Sequence, residues 1–163
     1  MILMNTGRIR RVLTQSIPTT FRLFLGITFL IYGLAKLYPG QFGVPTPEIA
    51  TKNGEGFVMA WSFFGYSRIY EIFIGLGEVI SGILIMIPRT ATLGVVCFFP
   101  IALNVMMVNY CYQIGVQDLS TLMVGMCIIL LWLDRKKLFL IFAQTRELDN
   151  SVSVNKQKGE RGA

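Results

Sequence analysis

The sequence contains no histidine and few charged residues. Charged side chains make up only 15% of its 163 residues, whereas apolar side chains make up 53% and the mean hydropathy is +0.59. Without an imidazole, the chain cannot build a bis-histidine haem site, a Cys/His zinc site or a Ser-His-Asp triad. So little polar surface does not suffice for an ordinary soluble domain. These absences exclude several enzyme classes and indicate an integral membrane protein.

Cysteine is also scarce. Cys97, Cys111 and Cys127 are too few and too scattered for a disulfide framework, and the chain has neither a C-x-x-C nor a phosphate-binding G-x-x-x-x-G-K-[ST] motif. We expect the three cysteines to be buried, small apolar residues with unreactive thiols. The sequence therefore carries no redox-thiol or nucleotide-binding signature, and we predict no metal site.

Long apolar blocks dominate the rest of the chain. By the length rule for bilayers, they predict four transmembrane helices in one domain, at residues 19–37, 69–87, 91–112 and 119–133. The fourth block is the shortest, because about 22 Å of helix at 1.5 Å per residue must cross roughly 30 Å of hydrocarbon. The predicted fold is all-α, an integral membrane four-helix bundle.

Three regions follow from this pattern. Residues 1–18 are predicted to form a basic cytoplasmic lead without a signal-peptide cleavage site. Residues 19–143 form the transmembrane domain, with an extracytoplasmic loop at residues 38–68. Residues 144–163 are polar and mixed in charge, so we expect a disordered cytoplasmic tail.

The basic residues predict the orientation of these helices. With both termini in the cytoplasm, twelve Lys and Arg residues lie inside and three, Lys36, Lys52 and Arg68, lie outside. This excess is the positive-inside pattern of a plasma-membrane protein. The net charge of +6 has the same origin, because the basic residues flank apolar blocks. The lipid bilayer is therefore the expected partner, and nucleic acid is not.

The extracytoplasmic loop contains an aromatic run that is too short to cross a membrane. Its members include Phe57, Trp61 and Phe64. Aromatic rings settle at the depth of the lipid headgroups, so the run fits an interfacial or re-entrant anchor. A loop of this length also fits a lid over a binding site. Both interpretations stay open on the sequence alone.

Polar residues inside the apolar blocks form stripes at about 100° per residue. The first span carries Arg22, Gly26, Gly33 and Lys36 on one face, and the second carries Glu71, Gly75, Glu78 and Gly82. The third span aligns Cys97, Ile101, Asn104, Val108 and Cys111, and the fourth aligns Asp118, Leu122, Gly125, Ile129 and Trp132. Because glycines let helices approach closely, these stripes predict that the two Glu side chains lie between helices.

Depth groups these residues into a polar funnel that opens outward. The predicted members are Lys36, Glu71, Glu78, Asn104 and Asp118, with Glu78 and Asn104 deepest, roughly 13 Å from the outer helix ends. Its formal charge of −2 predicts that Glu78 is protonated or that a cation or cationic ligand binds.

A purely structural role stays open for each charged member of the funnel. Glu78 could instead lock helices together by an ion pair, and Lys36 could extend to the interface. Glu71 and Asp118 could lie at the interface or cap a helix.

Three stretches resemble the DoxX-like family of small four-helix membrane proteins, which includes DoxX, DoxD and MauE-type redox-associated proteins. They are RLFLGITFLIYGLAKLYPG at residues 22–40, EIFIGLGEVISGILIMIPRTATLG at residues 71–94, and LLWLDRKK at residues 130–137. The resemblance covers about residues 19–140. It lies in the Arg that opens span one, the G-x-x-K at Gly33 and Lys36, and the Glu/Gly-rich second span.

The resemblance implies a redox-associated membrane subunit that binds quinone or anchors a redox-enzyme partner. In that role Glu78 would exchange a proton with the quinone, while Lys36 and Asn104 would polarise its oxygens. No haem, flavin or iron–sulfur signature is present, so the chain is at most an oxidoreductase subunit whose electrons come from a partner. Two other functions stay open, a non-enzymatic assembly factor or scaffold and transport of a small solute or proton, and so does a homo-oligomer.

Overall fold

The computed structural model describes residues 6–139, with side chains from residue 16 onward. Within that range it contains five helices and no strand: α1 (Thr6–Leu37), α2 (Pro47–Gly65), α3 (Arg68–Met86), α4 (Ala91–Cys111) and α5 (Gln117–Leu133). The predicted all-α class is confirmed. The predicted tail, residues 144–163, lies outside the described residues.

Three stretches of helix are long and apolar enough to cross a membrane. They are Ser16–Leu37, Arg68–Met86 and Ala91–Cys111, and the last two agree with the predicted spans to within one residue. Helix α5 is apolar but shorter, at 17 residues or roughly 25 Å. The chain is therefore a membrane protein by the length and composition of its helices.

Residues 6–18 of the predicted N-terminal lead are helical. Helix α1 begins at Thr6 and continues without a break through Pro18 into the membrane-length part. The reason is local, because Arg, Leu and Ile favour helix over this stretch and Pro18 does not end it. Residues 6–15 thus continue the helix ahead of its membrane-length part, which begins at Ser16.

Helices α1 and α3 pack antiparallel through two pairs of glycines. A Cβ atom on Gly26 would lie 2.9 Å from the Gly82 carbonyl oxygen, and one on Gly33 would lie 2.8 Å from the Gly75 carbonyl oxygen. A methyl group does not fit at either point, so only glycine allows this approach. The predicted glycine stripes of the first two spans therefore do face each other.

The remaining helices complete a ring of neighbours. Helix α3 packs against α4, α4 packs against α5, and Arg22 of α1 binds Asp134 just after α5. The buried apolar core lies toward Asp134 and consists of Leu25, Phe29, Ile85, Val95, Phe98, Ala102, Met123, Val124, Cys127 and Leu130. We call this the Asp134 end, and the opposite end, where α1 finishes and α3 begins, the Lys36 end.

Most of the predicted loop at residues 38–68 is helix α2. It begins at Pro47, where the missing N–H costs no helical hydrogen bond, and it bends at Gly54, whose φ of 84° favours glycine. Gly56 lies against the Tyr112 carbonyl at the end of α4, where a Cβ atom would be only 2.7 Å from the oxygen. Helix α2 therefore lies across the Lys36 end.

Candidate functional site

A cavity of about 680 Å³ occupies the Lys36 end. Side chains from all five helices line it, and most of them are apolar. Its volume is in the range of sites that hold small molecules or cofactors. Among the residues predicted to form a funnel, Lys36, Glu78 and Asn104 line this cavity.

A buried ion pair forms part of the cavity wall. Lys36 Nζ donates to Glu78 Oε2 at 2.7 Å, and the two side chains are only 7% and 1% exposed. The ammonium also lies 5.9 Å from the ring centre of Tyr32 and 5.5 Å from that of Phe42. Ring faces attract cations, so Lys36 has a partner on three sides. An ammonium and a carboxylate are thus held inside a mostly apolar site.

Glu71 and Arg68 form a clamp on the chain that follows α1. Arg68 donates to the Lys36 and Leu37 carbonyl oxygens and, at 2.6 Å, to Glu71 Oε2. Glu71 Oε1 accepts the backbone N–H groups of Gln41 and Phe42 at 2.6 and 3.0 Å. Glu71 is therefore buried but fully engaged, and its role is to position the segment that enters the cavity.

Aromatic rings form a roof over the cavity. The Phe42 ring lies 5.3 Å from Trp61 and 5.2 Å from Phe64, and all three residues line the cavity. Phe57, the third predicted lid residue, does not line the cavity. Its ring stacks on the Trp61 ring, with 4.0 Å between the ring centroids. Helix α2 and the 38–43 segment together supply the roof.

Three residues of the cavity wall have a buried oxygen without a hydrogen-bond partner among the described residues. They are Glu78, through Oε1, Gln41, through Oε1, and Asn109, through Oδ1. The Asn109 amide is oriented by its Nδ2, which donates to the Val105 carbonyl at 2.8 Å. Each of the three atoms is an acceptor, and buried acceptors without partners are rare and costly.

One side of the cavity is open between α3 and α4. Phe73, Leu76 and Ile80 line the cavity yet are 71%, 45% and 54% exposed. Asn104 of α4 also lines it, is exposed, and forms no hydrogen bond with any part of the chain that the structure describes. Both helices are long and apolar enough to cross a membrane, so the opening lies between two membrane-length helices.

A second polar cluster closes the Asp134 end. The Asp134 carboxylate accepts from Arg22 at 2.9 Å, Thr92 at 2.8 Å and Lys137 at 2.9 Å. Burial raises the pKa of the Asp134 carboxyl, but these hydrogen bonds and the Lys137 and Arg22 charges outweigh burial, so its pKa lies below the ordinary value. Asp134 thereby ties α1, α4 and the end of α5 together.

A protein of Bacillus subtilis (strain 168) is similar in sequence to this chain over most of the length of both. That protein carries the name "Uncharacterized protein YwoB" and is 57% identical over 138 residues, which are 85% of this chain and 90% of its own. The chain belongs to the YwoB family. No family model and no solved structure matches this YwoB-family chain.

Two predicted funnel members of the YwoB-family chain lie elsewhere. Asp118 is exposed in the first turn of α5, where a carboxylate is favourable near water and the helix N-terminus. Glu71 is held by Arg68 outside the cavity lining. The predicted charge of −2 is therefore wrong, because only Lys36 and Glu78 bring formal charge to the cavity and they cancel. Neither a protonated Glu78 nor a bound cation is needed for neutrality.

The stripe predicted on α4 is internal only in part: Ile101, Asn104 and Val108 line the cavity, but Cys97 and Cys111, which we expected to be buried, are not. The buried residues of this helix are Ala91, Gly94, Val95, Phe98, Ala102 and Asn109, whereas Cys97 and Cys111 are exposed. Small residues explain the choice of face, because a Cβ atom on Gly94 would lie 2.6 Å from the Ile85 backbone nitrogen. On α5 the Cys127 side is buried and the Asp118 side is exposed, the reverse of the predicted stripe.

Four residues that shape the site are absent from the predicted funnel: Gln41, Phe42, Arg68 and Asn109. Gln41 and Phe42 lie outside any periodic pattern, so no sequence signal places them in the cavity. Arg68 stands three residues before Glu71 at the start of α3, a spacing that could have suggested the ion pair. Asn109 is five residues from Asn104, on another face of an ideal helix, but the cavity is wide enough for both.

Proposed function

We propose that this protein is a four-helix plasma-membrane protein, with both termini in the cytoplasm, whose cavity binds a small amphiphilic ligand of the quinone type. The buried Lys36–Glu78 pair in the wall of a mostly apolar cavity carries the proposal. An ion pair inside a membrane helix bundle is costly and commonly marks a binding site or proton path. An apolar cavity with a few fixed polar groups is the usual design of a small-molecule site.

The open side of the cavity supports a ligand that comes from the bilayer. The exposed side chains of Phe73, Leu76 and Ile80 form an apolar edge between α3 and α4. A hydrocarbon tail can lie along this edge while the head group reaches the ion pair. The DoxX-like resemblance supports a quinone in particular, and it supports a redox-associated role for the protein.

In this role the chain binds the ligand and exchanges protons, while electrons come from elsewhere. Lys36 and Asn104 face the cavity as groups that can polarise a quinone oxygen. Glu78 is the acid in the cavity wall that can accept or give a proton. Because the sequence holds no haem, flavin or iron–sulfur motif, a redox-enzyme partner must supply the electrons.

Equilibrium dialysis of the purified protein in detergent against a short-chain quinone, decylubiquinone, tests this function. We expect saturable binding by the wild-type protein and a loss of about ten-fold or more in Glu78→Gln, since the substitution removes the charge that fixes Lys36. Asp118→Asn is the matched control, because Asp118 is an exposed acid outside the cavity lining. Binding that is absent from the folded wild-type protein, or unchanged in Glu78→Gln, would contradict the proposal.

A scaffold function is the second candidate, and one observation favours it. Phe63 and Tyr66, at the end of α2, are 64% and 92% exposed beside the shallow pocket lined by Ser62 and Ser67. Partner capture that depends on Phe63 and Tyr66 but survives Glu78→Gln would favour an assembly factor. Transport has less support, because buried Leu25, Phe98 and Leu130 fill the path from the cavity to the Asp134 end.

A further inference from the structure

The buried polar atoms that lack partners in the cavity wall are all of one chemical kind. Glu78 Oε1, Gln41 Oε1 and Asn109 Oδ1 accept hydrogen bonds and cannot donate them as placed. The fourth such atom of the described residues, Arg22 Nε, is a donor, but Arg22 belongs to the Asp134 end. The cavity therefore has an excess of buried acceptors.

The orientation of two of these acceptors is fixed by the bonds that their residues already make. The Asn109 amide nitrogen is committed to the Val105 carbonyl at 2.8 Å, which leaves the oxygen on the other side of the amide. The Glu78 carboxylate uses Oε2 for Lys36 at 2.7 Å, so Oε1 is the free oxygen of an ionised acid. Asn109 is 4% exposed and Glu78 is 1% exposed, so bulk water does not compensate either oxygen.

The strongest donor in the wall, Lys36, does not separate the two redox forms, because a hydroxyl oxygen can accept a hydrogen bond as a carbonyl oxygen does. Lys36 Nζ has its carboxylate at 2.7 Å and the ring faces of Tyr32 and Phe42 on its other sides. Ser120, another polar lining residue, donates its hydroxyl to the Gln117 carbonyl at 2.9 Å. A ligand that only accepts hydrogen bonds would leave the three free oxygens unsatisfied, whereas a ligand that donates would pair with them.

We infer that the cavity selects a head group that donates hydrogen bonds, so that the reduced hydroquinone form of the ligand binds in preference to the quinone. The inference rests on the proposed function and adds the redox state of the ligand. A hydroquinone carries two O–H donors on an apolar ring, whereas a quinone carries two carbonyl acceptors in the same positions. Pairing with a carboxylate oxygen is the stronger type of hydrogen bond, so Glu78 Oε1 contributes most to the selection.

Three ligands that share one methylated ring separate donation from shape. Durohydroquinone donates through two hydroxyl groups, duroquinone only accepts, and the dimethyl ether of durohydroquinone keeps both oxygens but cannot donate. Binding is measured by anaerobic equilibrium dialysis of the wild-type protein in detergent, with protein-free micelles as the partition control. We expect durohydroquinone to bind about ten-fold or more tightly than either of the other two.

Asn109→Leu removes one free acceptor, and the chain supplies a matched control. Asn53 donates its amide to the Ile49 carbonyl at 2.9 Å, the same bond to the residue four positions earlier that Asn109 makes, but Asn53 is exposed and does not line the cavity. We expect Asn109→Leu to lower the hydroquinone-to-quinone preference several-fold and Asn53→Leu to leave it unchanged. If Asn109→Leu does not fold, the three-ligand comparison on the wild-type protein decides whether the cavity prefers a ligand that donates hydrogen bonds.

The outcomes distinguish this inference from the function on which it rests. If durohydroquinone binds tightly and the other two ligands do not, the result supports both the inference and the proposed function. Equal or tighter binding of duroquinone overturns the inference and leaves quinone-type binding in place, and so does a dimethyl ether that binds as well as durohydroquinone. A folded protein that binds neither redox form overturns the proposed function and the inference together.

Discussion

Gly33 and Gly75 lie opposite each other across α1 and α3, and a Cβ atom on Gly75 would be 3.0 Å from the Gly33 carbonyl oxygen. Each glycine also faces one member of the buried ion pair on the other helix: the Cβ position of Gly33 lies 3.1 Å from Glu78 Cβ, and that of Gly75 lies 3.0 Å from Lys36 Cβ. The close approach of the backbones at the glycines brings the ammonium and the carboxylate within 2.7 Å. The ion pair therefore depends on the absence of side chains one turn away.

Gly33→Ala should separate α1 from α3. The new methyl group would meet the Gly75 carbonyl oxygen and Val79 Cγ2 at 2.8 Å each, and backbone cannot yield as a side chain does. We expect a loss of about 1–3 kcal/mol in stability, measured by thermal unfolding in detergent. Gly125→Ala in α5 is the control, since nothing among the described residues lies within 4 Å of its Cβ position, and it should be neutral or slightly stabilising.

Breaking the Lys36–Glu78 pair from one side should cost more than removing it altogether. Lys36→Met leaves a buried carboxylate without its counter-ion, and we expect a loss of about 3–5 kcal/mol. Adding Glu78→Met should recover most of that stability, because an apolar pair fits the apolar surroundings. Ligand binding should stay absent in the double variant. A double variant that binds as the wild type does would mean that the pair is purely structural.

Releasing the Arg68–Glu71 clamp should affect the roof more than the helix packing. In Glu71→Gln the amide cannot keep all three contacts to Gln41, Phe42 and Arg68, so Phe42 should move relative to Trp61. In a Trp132→Phe background, Trp61 is the single tryptophan, and its emission should shift while affinity falls about ten-fold. Glu48→Gln, at an exposed acid in the first turn of α2, should change neither quantity.

The Asp134 cluster should make stability depend on acid pH. The pKa of Asp134 is below its unfolded value of about 3.9, so the folded state gains from the ionised carboxylate above that pH. This stabilisation is lost as the pH falls through the folded pKa. The unfolding temperature of the wild type should exceed that of Asp134→Asn at pH 7, and the gap should narrow below about pH 4. A gap that persists unchanged at pH 3 would show that the charge of Asp134 is not the cause.

The proposed orientation can be tested by labelling from outside the cell. Lys52 in α2 and Arg89 between α3 and α4 are both exposed, and the proposal places them on opposite sides of the membrane. In a variant without the native cysteines, Lys52→Cys should react with a membrane-impermeant maleimide on intact cells. Arg89→Cys should react only after the cells are permeabilised, and the opposite pattern would reverse the topology.

Sequence patterns predicted the helices and the α1–α3 contact because both are local or periodic. Apolar length fixed the bounds of α3 and α4 to within a residue, and the glycines of α1 and α3 identified the faces that meet. The same reasoning placed Lys36 and Glu78 in one funnel, although at different depths. These features need no knowledge of the other helices.

The prediction fails where a helix has two apolar faces and only its packing against other helices decides which face is buried. Helix α4 buries the side with Gly94 and Ala102, although its polar stripe through Asn104 suggested another side. The sequence of helix α2 predicts a loop, because it opens after a Pro/Gly-rich stretch and its apolar run is too short to cross a membrane. The positions of Gln41 and Phe42 depend on the Arg68–Glu71 clamp, a tertiary contact that no sequence period encodes.

The gap between α3 and α4 determines which reservoir fills the cavity. Phe73, Leu76 and Ile80 border that gap with exposed side chains, which meet lipid if the proposed membrane placement holds. An occupant that enters there diffuses in two dimensions, so its mole fraction in the leaflet, and not its concentration in water, sets how often the cavity is filled.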